Sequence, residues 1–411
     1  MILIRSTICA AVLVPAIACA LHAAEPQIRV FNYPPGALSA AKALVEAKDS
    51  AVKLALEKLV ADADKALSLT PPTVMDKPQL PPSGDRHDYM SQAPYFWPDP
   101  TKKDGLPYIR KDGQRNPESH DAHSDAPRMA SMANAAETLA LACYLTGKEA
   151  CGEHAAAILR TWFLDEKTRM NPNFNFAQAV PGINTGRGTG MIESRSIIPA
   201  MNAAALLIGS AHWSAADEQG FESWMHAFLG WAQTSPNGKS EAAARNNHGS
   251  FYDEQIVALA LFLGENDLAR RTLESVKTKR IAVQIKPDGS QPLELERADS
   301  FGYSRFNLVA LCSLATEAEH LGIDLWSYTT EDGAGIHRAL DFLLPYVEDP
   351  EKEWPYAHGN KEARNLNAQL WQAGIVYHEP RYIKAAQTLV GFEKSREALL
   401  YPMVFDLTER K

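Results

Sequence analysis

The chain has 411 residues, of which 45% are hydrophobic and 22% are charged, an ordinary globular composition. This composition argues against a disordered, a collagen-like or a multi-span membrane protein. The net charge of −9 also argues against a broad nucleic-acid-binding surface, which is normally basic. A polyanionic ligand is therefore expected only where basic side chains gather inside a cleft.

The N-terminal segment, residues 1–24, has the pattern of a secretory signal peptide. An arginine precedes an apolar run from Ile8 to Ala20, and small residues follow it. The run is shorter than the roughly 20 residues that span a bilayer, so a transmembrane anchor is the weaker interpretation. Ala16–Cys19 loosely resembles a lipoprotein processing site, which leaves lipidation as an alternative. We expect a periplasmic or secreted protein without a membrane span.

Most of the mature chain is predicted to be helical, because apolar residues recur at three- and four-residue spacing. Strand-like alternation is scarce, and its best instances are Ile281–Ile285 and Leu293–Leu295. Consecutive helices with short connections indicate antiparallel hairpins, and the lack of a fixed-period repeat favours an α/α toroid over a regular solenoid. We therefore predict one all-α domain over residues 25–411. The predicted helical segments are 38–69, 126–146, 150–164, 190–210, 214–233, 250–264, 266–278, 303–321, 335–346, 361–376 and 380–395.

Two long segments interrupt the helical pattern. Thr70–Asp125 is rich in proline and aromatic residues, and Asn171–Gly190 is rich in asparagine and glycine. Loops of this length in a compact domain are usually functional, so we expect lids or binding walls. A structural wrap across the mouth of the barrel is the alternative.

The five cysteines reduce to three when the N-terminal segment is removed. Cys143 and Cys151 bracket a predicted helix–turn–helix corner, which a disulfide would staple in an exported protein. Cys312 lies in an apolar helical stretch and is predicted to be buried. The sequence contains no CxxC pair and no HExxH motif, so we expect no metal and no cofactor.

Two polar clusters coincide with predicted helix starts. Arg245–His248 precedes a helix predicted to begin near Ser250. Helix capping accounts for an asparagine there, but two asparagines followed by a histidine also fit an acid–base or carboxylate-orienting role. The second cluster, Glu294–Ser304, mixes charged and apolar residues at a predicted strand-to-helix junction. A solvated face is the alternative to a catalytic role.

A third cluster, Asn184–Arg195, carries several glycines. They resemble a phosphate loop, but no strand precedes them and no Lys-Ser or Lys-Thr pair follows. A loop that presents Arg187 and Arg195 to an anionic ligand fits better. Pairing of Arg195 with Glu193 is the alternative for that arginine.

Together these motifs resemble the alginate lyase-like superfamily of polysaccharide lyases, over roughly residues 50–370. Arg297 and Tyr303 are six residues apart, which is similar to the glucuronan-lyase-type branch and leaves the substrate open. The segments that carry the resemblance are Ala93–Pro100, Pro107–Gly113, Asn116–Glu118, Asn247-His248, Arg297 and Tyr303.

The resemblance implies an α/α toroid that cleaves an anionic uronic-acid polysaccharide by β-elimination. It assigns neutralisation of the sugar carboxylate to Asn247, with help from His248 and Arg297, and proton transfer to Tyr303. Because a free tyrosine has a pKa of about 10, Arg297 and an enclosed polar site would have to favour the phenolate. D-mannuronate and D-glucuronate share their configuration at C4 and C5, so these residues fit alginate or glucuronan equally.

The residue types of the loops and clusters suggest further contacts with such a substrate. Aromatic residues supply stacking surfaces, two arginines bind neighbouring carboxylates, and two polar side chains line the cleft. In that order, these predicted substrate-binding residues are Tyr95 and Trp97, Arg187 and Arg195, and Asn246 and His358.

Two other functions remain as alternatives. An inverting glycoside hydrolase on the same fold would pair Glu193 with Asp299 or Glu296, with the carboxyl groups about 6.5–9.5 Å apart. A non-catalytic carbohydrate-binding protein would bind the polymer without making new chain ends.

Overall fold

The computed structural model describes residues 28–356, 366–389 and 391–401, so the predicted signal peptide lies outside the described residues. Helices dominate these residues, and the prediction of an all-α protein with an α/α toroid is confirmed. The α-helices are α1 (Ala37–Glu46), α2 (Lys53–Ala66), α3 (Ala126–Thr146), α4 (Glu149–Leu159), α5 (Ile197–Leu207), α6 (Ala215–Thr234), α7 (Pro236–Ala242), α8 (Asn247–Phe262), α9 (Asn266–Val276), α10 (Ala282–Gln284), α11 (Pro292–Leu295), α12 (Ser300–Glu319), α13 (Ile336–Glu348), α14 (Asn367–Val376), α15 (Pro380–Thr388) and α16 (Arg396–Leu400). The strands are β1 (Met90–Gln92), β2 (Phe96–Trp97), β3 (Ile109–Arg110) and β4 (Phe176–Ala179).

The helices differ in how much of their surface is buried. In α5 ten of eleven residues are buried, and in α8 fourteen of sixteen are. By contrast, α9 buries only three of eleven, along one face. Helix α8 packs against both α9 and α12, and α3 packs against α4 and α5. Helix α8 is therefore a central, buried helix, and α9 is an amphipathic helix that packs against it through one face.

One hydrophobic cluster contains residues from Val30 to Tyr401. The prediction of a single domain over residues 25–411 agrees with this cluster but stays a prediction. Among the described helices, each is too short or too polar to cross a bilayer.

The two long segments meet each other through strand pairing. β1 and β4 pair in parallel, with Met90 opposite Phe176, and β2 and β3 pair antiparallel, with Phe96 opposite Arg110. All four strands therefore lie in the segments that interrupt the helical pattern. The predicted strand at Ile281–Ile285 is wrong. Ile281 is the last residue of a helical turn that begins at Lys277, and α10 follows it directly. The one at Leu293–Leu295 is also wrong, because Pro292 occupies the first position of α11, where proline favours a helix.

Three local predictions are corrected. The helix predicted over 38–69 is divided, because Lys48 adopts a left-handed φ of 56° between α1 and α2. The helix predicted to begin near Ser250 begins one turn earlier, at Asn247. The disulfide considered for Cys143 and Cys151 is not formed in the structure, which has both as free thiols. The burial of Cys312 is confirmed.

Candidate active site

A cleft of about 770 Å³ lies between the two long segments and the starts of α8 and α12. Trp97 is not among the residues that line it, and His358 lies outside the described residues. The indole nitrogen of Trp97 donates instead to the carbonyl oxygen of Gln114, at 2.8 Å. The cleft thus brings together eight of the ten predicted site residues: Tyr95, Arg187, Arg195, Asn246, Asn247, His248, Arg297 and Tyr303.

Asn247 and His248 occupy the first turn of α8, and each contacts a buried glutamate. The backbone N and the side-chain Nδ2 of Asn247 donate to the two carboxylate oxygens of Glu294, both at 2.7 Å. Nδ1 of His248 lies 2.7 Å from Oε1 of Glu241. A carboxylate only accepts, so Nδ1 carries the proton and Nε2 is the ring nitrogen left for the cleft.

An arginine holds the start of α8 in place. Arg280 is buried and pairs with Asp253 of α8, with Nε 2.7 Å from Oδ2. Its other nitrogens donate to the carbonyl oxygens of Ala242, at 2.9 Å, and Ala244, at 2.6 Å. A Cβ on Gly249 would collide with Ala244 and with the Arg280 guanidinium, so only glycine allows this approach. The glycine that follows the Asn-Asn-His motif therefore has a packing role.

A buried polar network connects α8 to α12. Ser250 and Asn307 both donate to Oε1 of Gln284, each at 2.8 Å. Asn307 also donates to Gln291, at 2.7 Å, and Gln291 donates to the carbonyl oxygen of Ser304, at 3.0 Å. Since Ser304 follows Tyr303 directly, the network fixes the tyrosine relative to the start of α8.

Arg297 precedes α12 and is held by an acid from the first long segment. Its Nε and Nη2 donate to the two oxygens of Asp112, at 3.1 and 2.7 Å. The backbone N of Ala298 donates to the same carboxylate, at 3.2 Å. The arginine holds the pKa of the Asp112 carboxyl well below its usual range. The two contacts use Nε and Nη2, so Nη1 is the nitrogen they leave for a ligand.

Tyr303 lies in the first turn of α12, beside Arg297 and Tyr95. The guanidinium carbon of Arg297 lies 3.6 Å from the centre of the Tyr303 ring, and the Tyr303 hydroxyl donates to that of Tyr95 at 2.7 Å. Burial raises the pKa of Tyr303, the Tyr95 hydroxyl raises it further, and Arg297 lowers it. Arg297 thus lowers the pKa of Tyr303, as the resemblance implied, but burial raises this pKa by more. Burial therefore favours the neutral phenol.

The two predicted carboxylate-binding arginines lie against aromatic rings. The guanidinium carbon of Arg187 lies 5.1 Å from the centre of the Phe96 ring, and its Nη2 donates to Gln178 at 2.8 Å. Arg195 lies 5.3 Å from the centre of the Phe306 ring. Its alternative partner, Glu193, instead accepts from Tyr89 and Ser91. Both arginines keep positive charge on the cleft surface.

The acids that a glycoside hydrolase would need are not gathered in the cleft. Glu193 lines it, but Asp299 and Glu296 do not. Asp299 caps α12 by accepting from the backbone N of Gly302 at 3.0 Å, and Glu296 is exposed. The cleft therefore lacks the carboxyl pair that this alternative names.

Three acids of the site escaped the sequence analysis: Asp112, Glu241 and Glu294. Each accepts a hydrogen bond from a predicted catalytic residue. Asp112 lies in one of the segments that carry the resemblance, and Glu294 begins the second polar cluster, so the sequence marked both regions without indicating which residue each acid contacts. Glu241 lies seven residues before His248 in a short helix that the hydrophobic pattern did not predict.

The arrangement offers hydrogen-bond donors to one carboxylate and a hydroxyl beside them. Within the residues that the structure describes, no three His, Cys, Asp or Glu side chains are grouped so as to hold a metal ion. The chemistry that these residues themselves support is proton transfer next to a bound anion.

Comparisons with known proteins agree with this geometry. The sequence profile of the family described as alginate lyase matches residues 73–354. A solved alginate lyase from Bacteroides ovatus is 39% identical, with a TM-score of 0.86 over 91% of this chain and 99% of that chain. Alginate lyase A1-III from Sphingomonas species A1 is 18% identical, with a TM-score of 0.58 over 86% of this chain and 92% of that chain. Among curated proteins, no match to this sequence is found.

Proposed function

Since the chain belongs to the alginate lyase family and is a polysaccharide lyase, we propose that it cleaves alginate at mannuronate residues by β-elimination. The observation that supports this most directly is the contact between Arg297 and Tyr303, at 3.6 Å from guanidinium carbon to ring centre. It sets a carboxylate-binding group and a proton-transfer group side by side in the cleft.

The first task of the site is to make the C5 proton of the sugar acidic. This proton is removed with difficulty while the adjacent carboxylate carries a full negative charge. Asn247 Nδ2 and Arg297 Nη1 are the atoms available to donate to that carboxylate, and His248 Nε2 joins them when the imidazole is protonated on both nitrogens. They stabilise the enolate-like charge that develops as the proton leaves, and preorganised donors of this kind lower the barrier substantially.

Tyr303 then moves the protons. Its phenolate takes the proton from C5, the C5 electron pair forms the C4–C5 double bond, and the bond from C4 to the glycosidic oxygen breaks. The same tyrosine returns a proton to the departing O4. General base catalysis typically contributes about 10²–10⁴-fold to a rate. Because burial favours the neutral phenol, the reaction should be faster at higher pH.

A single acid–base residue selects the stereochemistry of the substrate. One tyrosine reaches C5–H and O4 only when both lie on the same face of the sugar, as in D-mannuronate and D-glucuronate. Guluronate has the opposite configuration at C5 and presents its proton on the other face. Glucuronan is the second candidate substrate, favoured by the six-residue spacing between Arg297 and Tyr303.

The test is incubation of the purified protein with poly-mannuronate, poly-guluronate and glucuronan in separate reactions. We expect an ultraviolet-absorbing, unsaturated product to form fastest from poly-mannuronate, with glucuronan next and poly-guluronate last. New reducing ends without that absorbance would indicate hydrolysis. Saturable binding without new chain ends would indicate a carbohydrate-binding protein, and either result would contradict the proposal.

We further propose that the enzyme is exported, since residues 1–24 have the pattern of a signal peptide. N-terminal sequencing of the protein recovered from the periplasm or medium of an expressing cell tests this. The expected first residue lies near Ala24, and recovery of an uncleaved chain in the cytoplasm would contradict export.

A further inference from the structure

We propose that Glu241 and Glu294 are positioning residues, which fix the two nitrogens that face the substrate carboxylate, Nε2 of His248 and Nδ2 of Asn247. The proposal rests on the proposed lyase function, because it concerns the same cleft. Neither glutamate lines the cleft, and each is only 1% exposed, so both act through the residues that do line it.

Glu294 determines the orientation of the Asn247 amide. Its two oxygens accept from the backbone N and from Nδ2 of Asn247, at 2.7 Å each. The backbone N–H is fixed by α8, so the second oxygen can only hold Nδ2. If the amide turned over, Oδ1 would face a carboxylate oxygen, and two acceptors would repel each other. Glu294 therefore fixes Nδ2, whose remaining hydrogen is free for the substrate.

Glu241 performs the same task for the imidazole of His248. Oε1 lies 2.7 Å from Nδ1, and this contact holds both the proton position and the ring plane. Oε2 of Glu241 is buried and has no hydrogen-bond partner. Because only Oε1 makes a contact, His248 needs an acceptor at this position and makes no use of the second oxygen.

Both acids carry a cost that a purely structural role would avoid. A buried carboxylate beside a site for an anionic sugar repels the substrate, and burial raises the pKa of the Glu294 carboxyl. A neutral Ser or Asn would satisfy the start of a helix without that charge. What a neutral side chain cannot do is accept from two N–H groups with two equivalent oxygens, as Glu294 does.

The two contacts predict losses of different size for the same Glu-to-Gln substitution. In Glu294→Gln, the new amide nitrogen faces either the backbone N–H or Nδ2 of Asn247, and Asn247 must turn. We expect kcat on poly-mannuronate to fall about 10²-fold with little change in KM, as for loss of a transition-state donor. In Glu241→Gln, the remaining oxygen still accepts from Nδ1, so kcat should fall less than about tenfold.

Two further variants separate orientation from charge. Glu241→Leu removes the acceptor and should lose about 10²-fold in kcat, like Glu294→Gln. Glu294→Asp keeps both acceptor oxygens on a shorter side chain and should recover part of the loss. It also serves as the test if Glu294→Gln does not fold.

The matched control is Glu317→Gln. Glu317 is a fully buried acid on α12 whose oxygens have no hydrogen-bond partner, and it does not line the cleft. Its kcat should equal that of the wild type. Thermal unfolding of every variant identifies losses that come from unfolding alone.

The proposal is overturned if folded Glu294→Gln and Glu241→Leu stay within about threefold of the wild-type kcat, or if Glu241→Gln and Glu241→Leu lose equal activity. Failure of the proposed function looks different, because the wild-type enzyme itself would then release no unsaturated product from any uronan.

Discussion

The cleft contains two kinds of cationic or donor side chain, which differ in what lies behind them. Asn247, His248 and Arg297, the acid-backed donors, each contact a carboxylate at 2.7 Å. Arg187 and Arg195, the ring-backed arginines, lie over aromatic rings at 5.1 and 5.3 Å. Among the described residues, no carboxylate lies within ion-pair distance of either ring-backed arginine. One set is held by hydrogen bonds to a carboxylate, and the other has no carboxylate in direct contact.

This difference separates transition-state stabilisation from substrate attraction. A donor that must meet a developing charge within a fraction of an ångström has to be held rigidly, and a carboxylate partner does so through directed hydrogen bonds. A residue that only attracts neighbouring sugar carboxylates benefits more from keeping its charge. An aromatic ring supports a guanidinium without neutralising it. Changes near the acid-backed donors should therefore alter kcat, and changes at the ring-backed arginines should alter KM.

The largest effect is expected for Tyr303→Phe, which lies beside the acid-backed donors. The substitution removes the only group that the mechanism uses for proton transfer, so unsaturated product should fall by about 10²–10⁴-fold. The ring and its contact with Arg297 remain, and the fold should be unchanged by circular dichroism. Near-normal turnover would contradict both the mechanism and the assignment of Tyr303.

Asp112→Asn should have the next largest effect, because it releases an acid-backed donor. The asparagine amide faces Arg297 with a donor, so the two-point contact is lost and kcat should fall about 10–10²-fold. The control is Asp217→Asn on α6, which breaks an equivalent contact with Arg160 away from the cleft, at 2.8 and 2.7 Å. Equal losses of activity in the two variants would contradict a role of Asp112 in catalysis.

The same aspartate makes a prediction for stability against pH. Arg297 lowers the pKa of Asp112 in the folded protein, so the unfolded state binds the proton more readily. The stabilisation is therefore present above the unfolded pKa of about 4 and is lost as pH falls through the folded value. Chemical unfolding should show a smaller difference between wild type and Asp112→Asn at about pH 3 than at pH 7.

The pH dependence of the wild-type rate tests whether the phenolate of Tyr303 is the catalytic base. Its pKa is raised, chiefly by burial, so the phenolate fraction increases with pH throughout the neutral range. If the phenolate is the base, kcat/KM should rise by about tenfold for each pH unit below that pKa, until another group titrates. A profile that is flat or falls between pH 6 and about pH 8 would exclude the phenolate as the base.

The comparison of the two sets of side chains also shows which parts of the fold and of the site the sequence alone predicts. The helical pattern located α3 at Ala126–Thr146, where Pro127 starts the helix and Gly147 ends it with a φ of 71°. Motif resemblance selected Asn247, His248, Arg297 and Tyr303, which the cleft brings together.

Motif resemblance did not assign a role to the acids that contact these residues, Asp112, Glu241 and Glu294. Asp112 meets Arg297 across 185 residues, and such a contact depends on tertiary packing that local periodicity does not contain. The short strands were missed for the same reason, since β1 and β4 pair only because two distant loops meet. The start of α8 was misplaced by one turn because polar residues there look like a loop, and contacts from distant residues, such as Glu294 on Asn247 and Arg280 on Ala244, hold this turn in place.

For the ring-backed arginines we expect a smaller effect of a different kind. Arg187→Gln should raise KM about three- to tenfold on long chains and leave kcat nearly unchanged, as for loss of one charge-assisted hydrogen bond. The dependence of KM on salt should also weaken, since one positive charge of the cleft is gone. Arg195→Gln is the matched variant, since Arg195 also lines the cleft and lies over an aromatic ring. A loss confined to kcat in both would remove the distinction between the two sets.

The smallest effect is expected at Trp97, where the structure and the sequence prediction diverge. The sequence treats it as a stacking surface for a sugar, whereas its indole nitrogen donates to Gln114 and its ring lies 5.5 Å from the ammonium of Lys111. Trp97→Phe removes one hydrogen bond outside the cleft, which should lower the free energy of unfolding by about 1 kcal/mol and change KM less than twofold. A tenfold rise in KM would show instead that the substrate reaches past Tyr95 to this ring, and that aromatic contacts extend the binding surface beyond the arginines.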